Sequence, residues 1–225
     1  LKNENCWYKS VCTYDYCTNC IRYAEMKYLM DSSGIPKNRQ KPKELIAGSD
    51  YDAFYKLNDV KEKIDEYVNI GGFNLYICSE NTGNGKTSWA IKILLKYFDK
   101  IWAGNGFRVR GMFVHVPTLL AKLKDFDHPD PSLKTYRENL NNADLVVWDD
   151  IAGAKLSDYD ISQLLMIIDS RIIDDKTNIY TSNVITQTDL SKAVGPRLAS
   201  RIFNCSAIIE LKGTDRRHGS FTDIK

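Results

Sequence analysis

Nine residues, Ser79-Glu80-Asn81-Thr82-Gly83-Asn84-Gly85-Lys86-Thr87, lie between a short apolar run and a stretch whose apolar residues recur at helical spacing. A strand, a glycine-rich loop and a helix in that order make a phosphate cradle. The glycines let backbone N–H groups turn inward as an anion-binding nest, and the next helix presents the positive end of its dipole. Lys86 is placed to reach the terminal phosphates of ATP, and Thr87 to offer its hydroxyl to Mg2+. Thr82, Gly83, Asn84, Gly85 and Ser88 complete the candidate loop. One position departs from the usual pattern. Glu80 stands six residues before Lys86, where glycine is common, and a carboxylate beside a triphosphate is unfavourable unless it points to solvent.

The rest of the chain repeats the alternation. Segments 73–78, 111–116, 144–149, 178–182 and 207–211 are short and nearly continuously apolar, as strands covered on both faces are. Helical patterns fall at 87–98, 117–124, 132–142, 158–174 and 187–194; in the fourth, Ile161, Leu164, Leu165, Ile168 and Ile172 share a face. The expectation is a three-layer α/β domain with a parallel five-stranded sheet and right-handed crossovers. Domain boundaries are expected at 1–31, a cysteine-rich segment, 32–53, a turn-rich basic linker, and 54–225, the nucleotide-binding domain.

Carboxylates at the C-terminal end of a parallel strand sit where ligands bind in such sheets. Asp149 and Asp150 end the run Leu145-Val146-Val147-Trp148. Asp149 is the candidate magnesium partner, and Asp150 the group that orients or deprotonates attacking water. Asn183 ends the next strand candidate and could touch the γ-phosphate or that water. Arg197 and Arg201 are four apart, hence on one helix face, and a guanidinium is suited to pair with phosphate.

A formal net charge of +2 excludes a strong long-range field for a polyanion, leaving only local patches to grip one. Lys122, Lys124 and Lys155 follow strand candidates and are the residues proposed to contact nucleic-acid phosphates, against a reading as ordinary surface lysines. No apolar run is long enough to span a bilayer. The start, Leu-Lys-Asn-Glu-Asn-Cys, has neither the basic nor the apolar part of a signal peptide, so a cytoplasmic location is expected. In a reducing compartment the cluster Cys6, Cys12, Cys17 and Cys20 favours metal over disulfides. Four thiolates could complete a tetrahedral structural Zn2+ site. The spacing also echoes that of plant-type iron–sulfur proteins, and a metal-free cluster is the third possibility.

Together the motifs resemble the AAA+ ATPases, and within them the bacterial and phage replicative helicase loaders of the DnaC/DnaI type. The likeness rests on Ser33-Gly34-Ile35-Pro36, Gly83-Asn84-Gly85-Lys86-Thr87, Val114-His115-Val116-Pro117 with Leu119 and Leu120, Leu145 to Ile151, Thr181-Ser182-Asn183, and Arg197-Leu198-Ala199-Ser200-Arg201-Ile202. It implies that Asn183 is a sensor of the γ-phosphate, and that Arg201, with Arg197 second, is an arginine finger entering a neighbour's site in a ring or spiral. It also implies that Ile35 and Pro36 line the adenine pocket and that the domain lacks a helical lid. The implied partners are a DnaB-type hexameric helicase, met through the N-terminal segment, and single-stranded DNA. Alternatives are an IstB-type transposition helper ATPase, a P-loop kinase of small molecules, and a nucleotide-binding adaptor that does not hydrolyse.

Overall fold

The computed structural model describes residues 6–9, 12–13, 20–41, 45, 50–124, 131–153 and 156–213. Five parallel strands form one sheet: β1 (Asn74–Cys78), β2 (Gly111–His115), β3 (Leu145–Asp149), β4 (Thr177–Ser182) and β5 (Ala207–Glu210). Their spatial order is β2-β3-β4-β1-β5. β4 therefore lies between the strand that feeds the phosphate loop and the strand that ends in Asp149.

Along β1 to β4, alternate residues enter different cores. Leu75, Ile77, Phe113, Leu145, Val147 and Ile179 pack on one face, against α4 (Lys86–Ile101) and the earlier helices α1 (Ile21–Ser32), α2 (Tyr51–Glu62) and α3 (Ile64–Ile70). Tyr76, Cys78, Met112, Val114, Val146, Trp148 and Tyr180 pack on the other. That face is covered by α5 (Val116–Leu123), α6 (Leu133–Asn142), α7 (Asp158–Ile173), α8 (Gln187–Val194) and α9 (Pro196–Asn204). Burial on both faces is why the strands read as unbroken apolar runs rather than alternating ones. Each fully buried Leu or Ile contributes about 1.5–3 kcal/mol.

Local chemistry sets the helix starts. Ser157 and Asp160 exchange side chain–backbone hydrogen bonds as a capping box on α7. Thr186 caps α8 by accepting from the Asp189 backbone N–H. Pro196 opens α9 after Gly195, whose φ of +81° a side chain would resist.

The division expected at residue 31 passes through a packed element. Met26, Leu29 and Met30 of α1 are buried in the same core as α4, and the Phe113 backbone N–H donates to the Ser33 carbonyl at 2.7 Å. Farther upstream, the Tyr8 hydroxyl donates to Asp99 Oδ1 at 2.7 Å and Arg22 stacks on the Tyr8 ring. The described part of the cysteine-rich segment thus lies on the last turn of α4. Among the described residues, no helix is long and apolar enough to cross a membrane.

Candidate nucleotide site

The loop between β1 and α4 is held open by its own side chains. The Ser79 backbone N–H donates to the Ser182 carbonyl at 3.2 Å, continuing the β1–β4 ladder one residue beyond the strands. The Asn84 amide donates to Ser79 Oγ and to the Leu211 carbonyl, the latter at 3.2 Å. The Asn81 amide donates to the Gly213 carbonyl at 3.3 Å, and the Gly213 N–H donates in turn to Asp50. Gly83 (φ +70°) and Gly85 (φ +103°) take the left-handed backbone that the nest requires, and Gly85 caps α4.

Lys86 is buried, and its Nζ donates to the Asn81 carbonyl at 2.8 Å and to Asn84 Oδ1 at 3.4 Å. The ammonium is thus folded over the loop, satisfied by the neutral groups that a phosphate would replace. Glu80 is exposed, which is the condition under which its carboxylate and a triphosphate are compatible. Thr87 is half-buried in the first turn of α4, and Thr82 and Ser88 are exposed.

Two strands away, Asp149 is buried, 6% exposed, and its Oδ1 accepts from the Thr181 hydroxyl at 2.8 Å. Thr181 Oγ1 in turn accepts from the Asp150 backbone N–H at 3.0 Å. Asp150 has a left-handed backbone, φ +59°, unusual for a residue with a side chain. The Asp150 carboxylate lies against Gly153, where a Cβ would have to displace it. Asn183 is exposed, one residue beyond β4, following Ser182, the residue whose carbonyl receives the Ser79 N–H. The structure therefore brings Lys86, Thr87, Asp149, Asp150 and Asn183 to the C-terminal ends of β1, β3 and β4.

Other expected site residues lie elsewhere. Ile35 is buried in the core with Phe113, and Ser33 bonds the free edge of β2, three strands from β1. At about 4.8 Å per strand, that separates Ile35 and Pro36 from the phosphate loop by roughly 14 Å. Ile35 is buried in the core and Pro36 is exposed, beside the β2 edge. The segment beside the loop is instead that of Asp50, at the start of α2. Arg197 and Arg201 lie on α9 beside α7, where Arg201 Nε is 2.8 Å from Asp169 Oδ1 and Arg197 is 4.0 Å from Oδ2. Lys124 Nζ is 2.6 Å from Asp160 Oδ2, the buried acid of the α7 capping box, so its charge is engaged within the fold. Lys122 is exposed, and Lys155 lies outside the described residues.

Of the four cysteines, Cys17 lies outside the described residues. Among the described residues, no group of three or more His, Cys, Asp or Glu could hold a metal ion, so Cys6, Cys12 and Cys20 do not form a three-thiolate cluster.

Sequence reading passed over Asp50, Asp169 and Arg171. Arg171 carried a signal, a guanidinium among the isoleucines of α7; it is fully buried there, donating to the Asn178 side chain at 2.8 Å and to the carbonyls of Leu140, Ala143 and Thr177. Burial disfavours its charge and brings its pKa down to about 10.

A glycine-rich loop after the first strand, an acid pair on the third and a polar residue ending the strand between them are arranged as in a P-loop domain of the AAA+ fold. No protein-family model matches the chain, and no curated protein matches it in sequence. Solved structures do. The chain has the fold of the DnaC helicase loader, at TM-score 0.57 and 22% identity over 76% of this chain and 93% of that one. It is likewise similar to DnaI, at TM-score 0.61 and 17% identity over 81% and 94%. DnaA from Aquifex aeolicus, bound to AMPPCP, matches at TM-score 0.55 and 16% identity over 75% of this chain and 48% of DnaA.

Proposed function

We propose that the protein is a weak ATPase that loads a replicative hexameric helicase onto single-stranded DNA. The observation that carries the reading is the convergence of Lys86, Asp149 and Asn183 at the same edge of three adjacent strands. The fold it shares with DnaC and DnaI supports the loader role, and the AMPPCP-bound DnaA supports ATP as the ligand.

The residues present fit ATP with magnesium. The nest is built, and Asp149 keeps one carboxylate oxygen outside its bond with Thr181. Magnesium, held by Thr87 and Asp149, would neutralise charge on the phosphates. Lys86 exchanges its contact with the Asn81 carbonyl for phosphate oxygens. Asp150 orients the attacking water and Asn183 senses the γ-phosphate. Arg201, helped by Arg197, acts in a neighbouring subunit's site after leaving Asp169. This reading places the protein in the cytoplasm, as a ring or spiral.

A nucleotide-binding adaptor is the second reading. One observation favours it: the Asp150 carboxylate is folded against Gly153 in its own turn. ATP turnover with and without single-stranded DNA, beside Lys86→Ala, tests the proposal. DNA-stimulated turnover that Lys86→Ala abolishes supports the loader; ATP binding without turnover supports the adaptor, and turnover by a monomer indifferent to DNA sinks the loader reading.

A further inference from the structure

At the other end of the sheet, the residues just before β2, β3 and β4 surround an open cavity of about 620 Å³. With strands of five residues, this end is about 16 Å from the phosphate loop. Its walls carry Arg108, Arg110 and Lys176 against one carboxylate, Asp144, together with Tyr28, Asn139 and Asn142. Three cations facing one acid leave a surplus of two positive charges in one notch, on a chain whose formal net charge is +2.

The notch is built rather than incidental. Asp144 fixes Arg110 through its Nε and accepts from the Tyr97 hydroxyl at 3.0 Å, with Lys176 Nζ at 3.5 Å. Burial alone would raise the Asp144 carboxyl, but Arg110 outweighs it and holds the group below its usual range, so the acid stays charged. Behind Arg108, the backbone carbonyl of fully buried Asn105 accepts from Arg108 Nε at 3.2 Å, and its side-chain amide donates to the Arg108 carbonyl at 3.1 Å. That clamp presents Phe107, exposed and with a left-handed φ of +54°, edge-on to Tyr28 at 5.5 Å between ring centroids. Phe107 thus packs on Tyr28 and stays half exposed, next in sequence to Arg108, at the rim of the cavity that Tyr28 and Arg108 line.

We propose that this notch holds the backbone of a single nucleic-acid strand, with Arg108 and Lys176 pairing with phosphates and Tyr28 and Phe107 stacking on bases. Cations tracking a backbone beside aromatic platforms are what sequence-tolerant single-strand binding requires. Asp144 holds Arg110 and Lys176 in place from within the fold. The proposal rests on the loader reading in naming where the strand is held, and it puts the strand on the end of the sheet away from ATP.

The test uses the full chain and a labelled oligothymidylate of roughly 15 nucleotides, read by fluorescence anisotropy over a salt series, with MgATP binding measured separately. Arg108→Ala/Lys176→Ala should weaken binding more than about tenfold at low salt and flatten the log–log salt slope by about 1.4, two phosphates at about 0.7 each. Its affinity for MgATP should be unchanged, which also reports that the variant is folded. Lys56→Ala/Lys63→Ala, removing two charges from α2 and the residue that follows it, should leave oligonucleotide binding within about twofold. The proposal is overturned if the notch variant binds as the wild type does, if the α2 variant loses as much, or if the wild type binds MgATP but no oligonucleotide. Loss of MgATP binding by the wild type would instead count against the function proposed above.

Discussion

Thr181 and Asp149 are joined by a hydrogen bond of 2.8 Å from the threonine hydroxyl to Oδ1, across the boundary between β4 and β3. The same hydroxyl accepts the Asp150 backbone N–H at 3.0 Å, and the Thr181 carbonyl accepts that of Ile151, also at 3.0 Å. One residue on the intervening strand therefore orients the acid pair.

Thr181→Val keeps the shape and removes the hydroxyl. Partners that orient a metal-binding carboxylate are worth about 10–100-fold in metal affinity or activity. ATP turnover should fall by about that factor, and the Mg2+ concentration giving half-maximal rate should rise. Unchanged turnover and magnesium dependence would show that Thr181 does not set the carboxylate.

Arg201 and Asp169 form an ion pair at 2.8 Å within one chain. A finger acting in trans must exchange this partner for a neighbour's phosphate. Arg201→Ala should bind ATP normally and lose about 10³-fold or more in turnover. Mixed with Lys86→Ala, which keeps its arginine, it should regain activity, because each variant supplies what the other lacks. No recovery on mixing would argue against action between subunits.

Glu62 ties the end of α2 to α4 through Lys96 Nζ at 2.8 Å and also meets Lys61 at 2.9 Å. The hydrogen bond from Lys96, then that from Lys61, lowers its pKa from 4.5 to about 2. A depressed carboxyl stabilises the fold above its unfolded pKa, and the contribution fades as pH falls through the folded value. With its side chain 47% exposed, the contribution is screened to under about 1 kcal/mol. Glu62→Gln should therefore cost less than that at pH 7, and the difference from wild type should shrink between about pH 4.5 and 2 in urea unfolding curves. A difference constant over that range would exclude the linkage.

Arg171 binds α6, the start of β4 and α7 to one another through the carbonyls of Leu140, Ala143 and Thr177 and the Asn178 side chain. Arg171→Leu leaves these buried acceptors without it and should cost on the order of 3–5 kcal/mol in urea unfolding. A loss below about 1 kcal/mol would mean that water replaces the guanidinium without penalty.

β1 to β4 were legible because both their faces are buried, so each is a run of apolar residues with its own turn signals; β5, at the edge and largely exposed, was legible from its short apolar run alone. The helices α4 to α8 were legible for the complementary reason: a surface helix shows its buried face every third or fourth residue. α1, α2 and α3 were not. In α1 the buried set includes Glu25 beside Met26, Leu29 and Met30, and only a partner surface distinguishes such a segment from a polar linker.

That the glycine-rich loop, the acid pair and Asn183 would fall at strand ends was readable because the signal is local: glycines, one lysine and polar groups directly after apolar runs. That Ile35 and Pro36 lie beside the β2 edge was not legible, because nothing in a sequence says which edge of a sheet an upstream segment will close. Asp50, Asp169 and Thr181 act through partners 32 to 163 residues away, and only folding brings such pairs together. The sequence by itself determined the five strands, the helices at 87–98, 117–124, 132–142, 158–174 and 187–194, and the glycine-rich loop, since these follow from backbone geometry and short-range pattern. The tertiary structure decided the strand order that sets β4 between β1 and β3, the partners of each charge, and the basic notch, because these are contacts between residues that the chain separates.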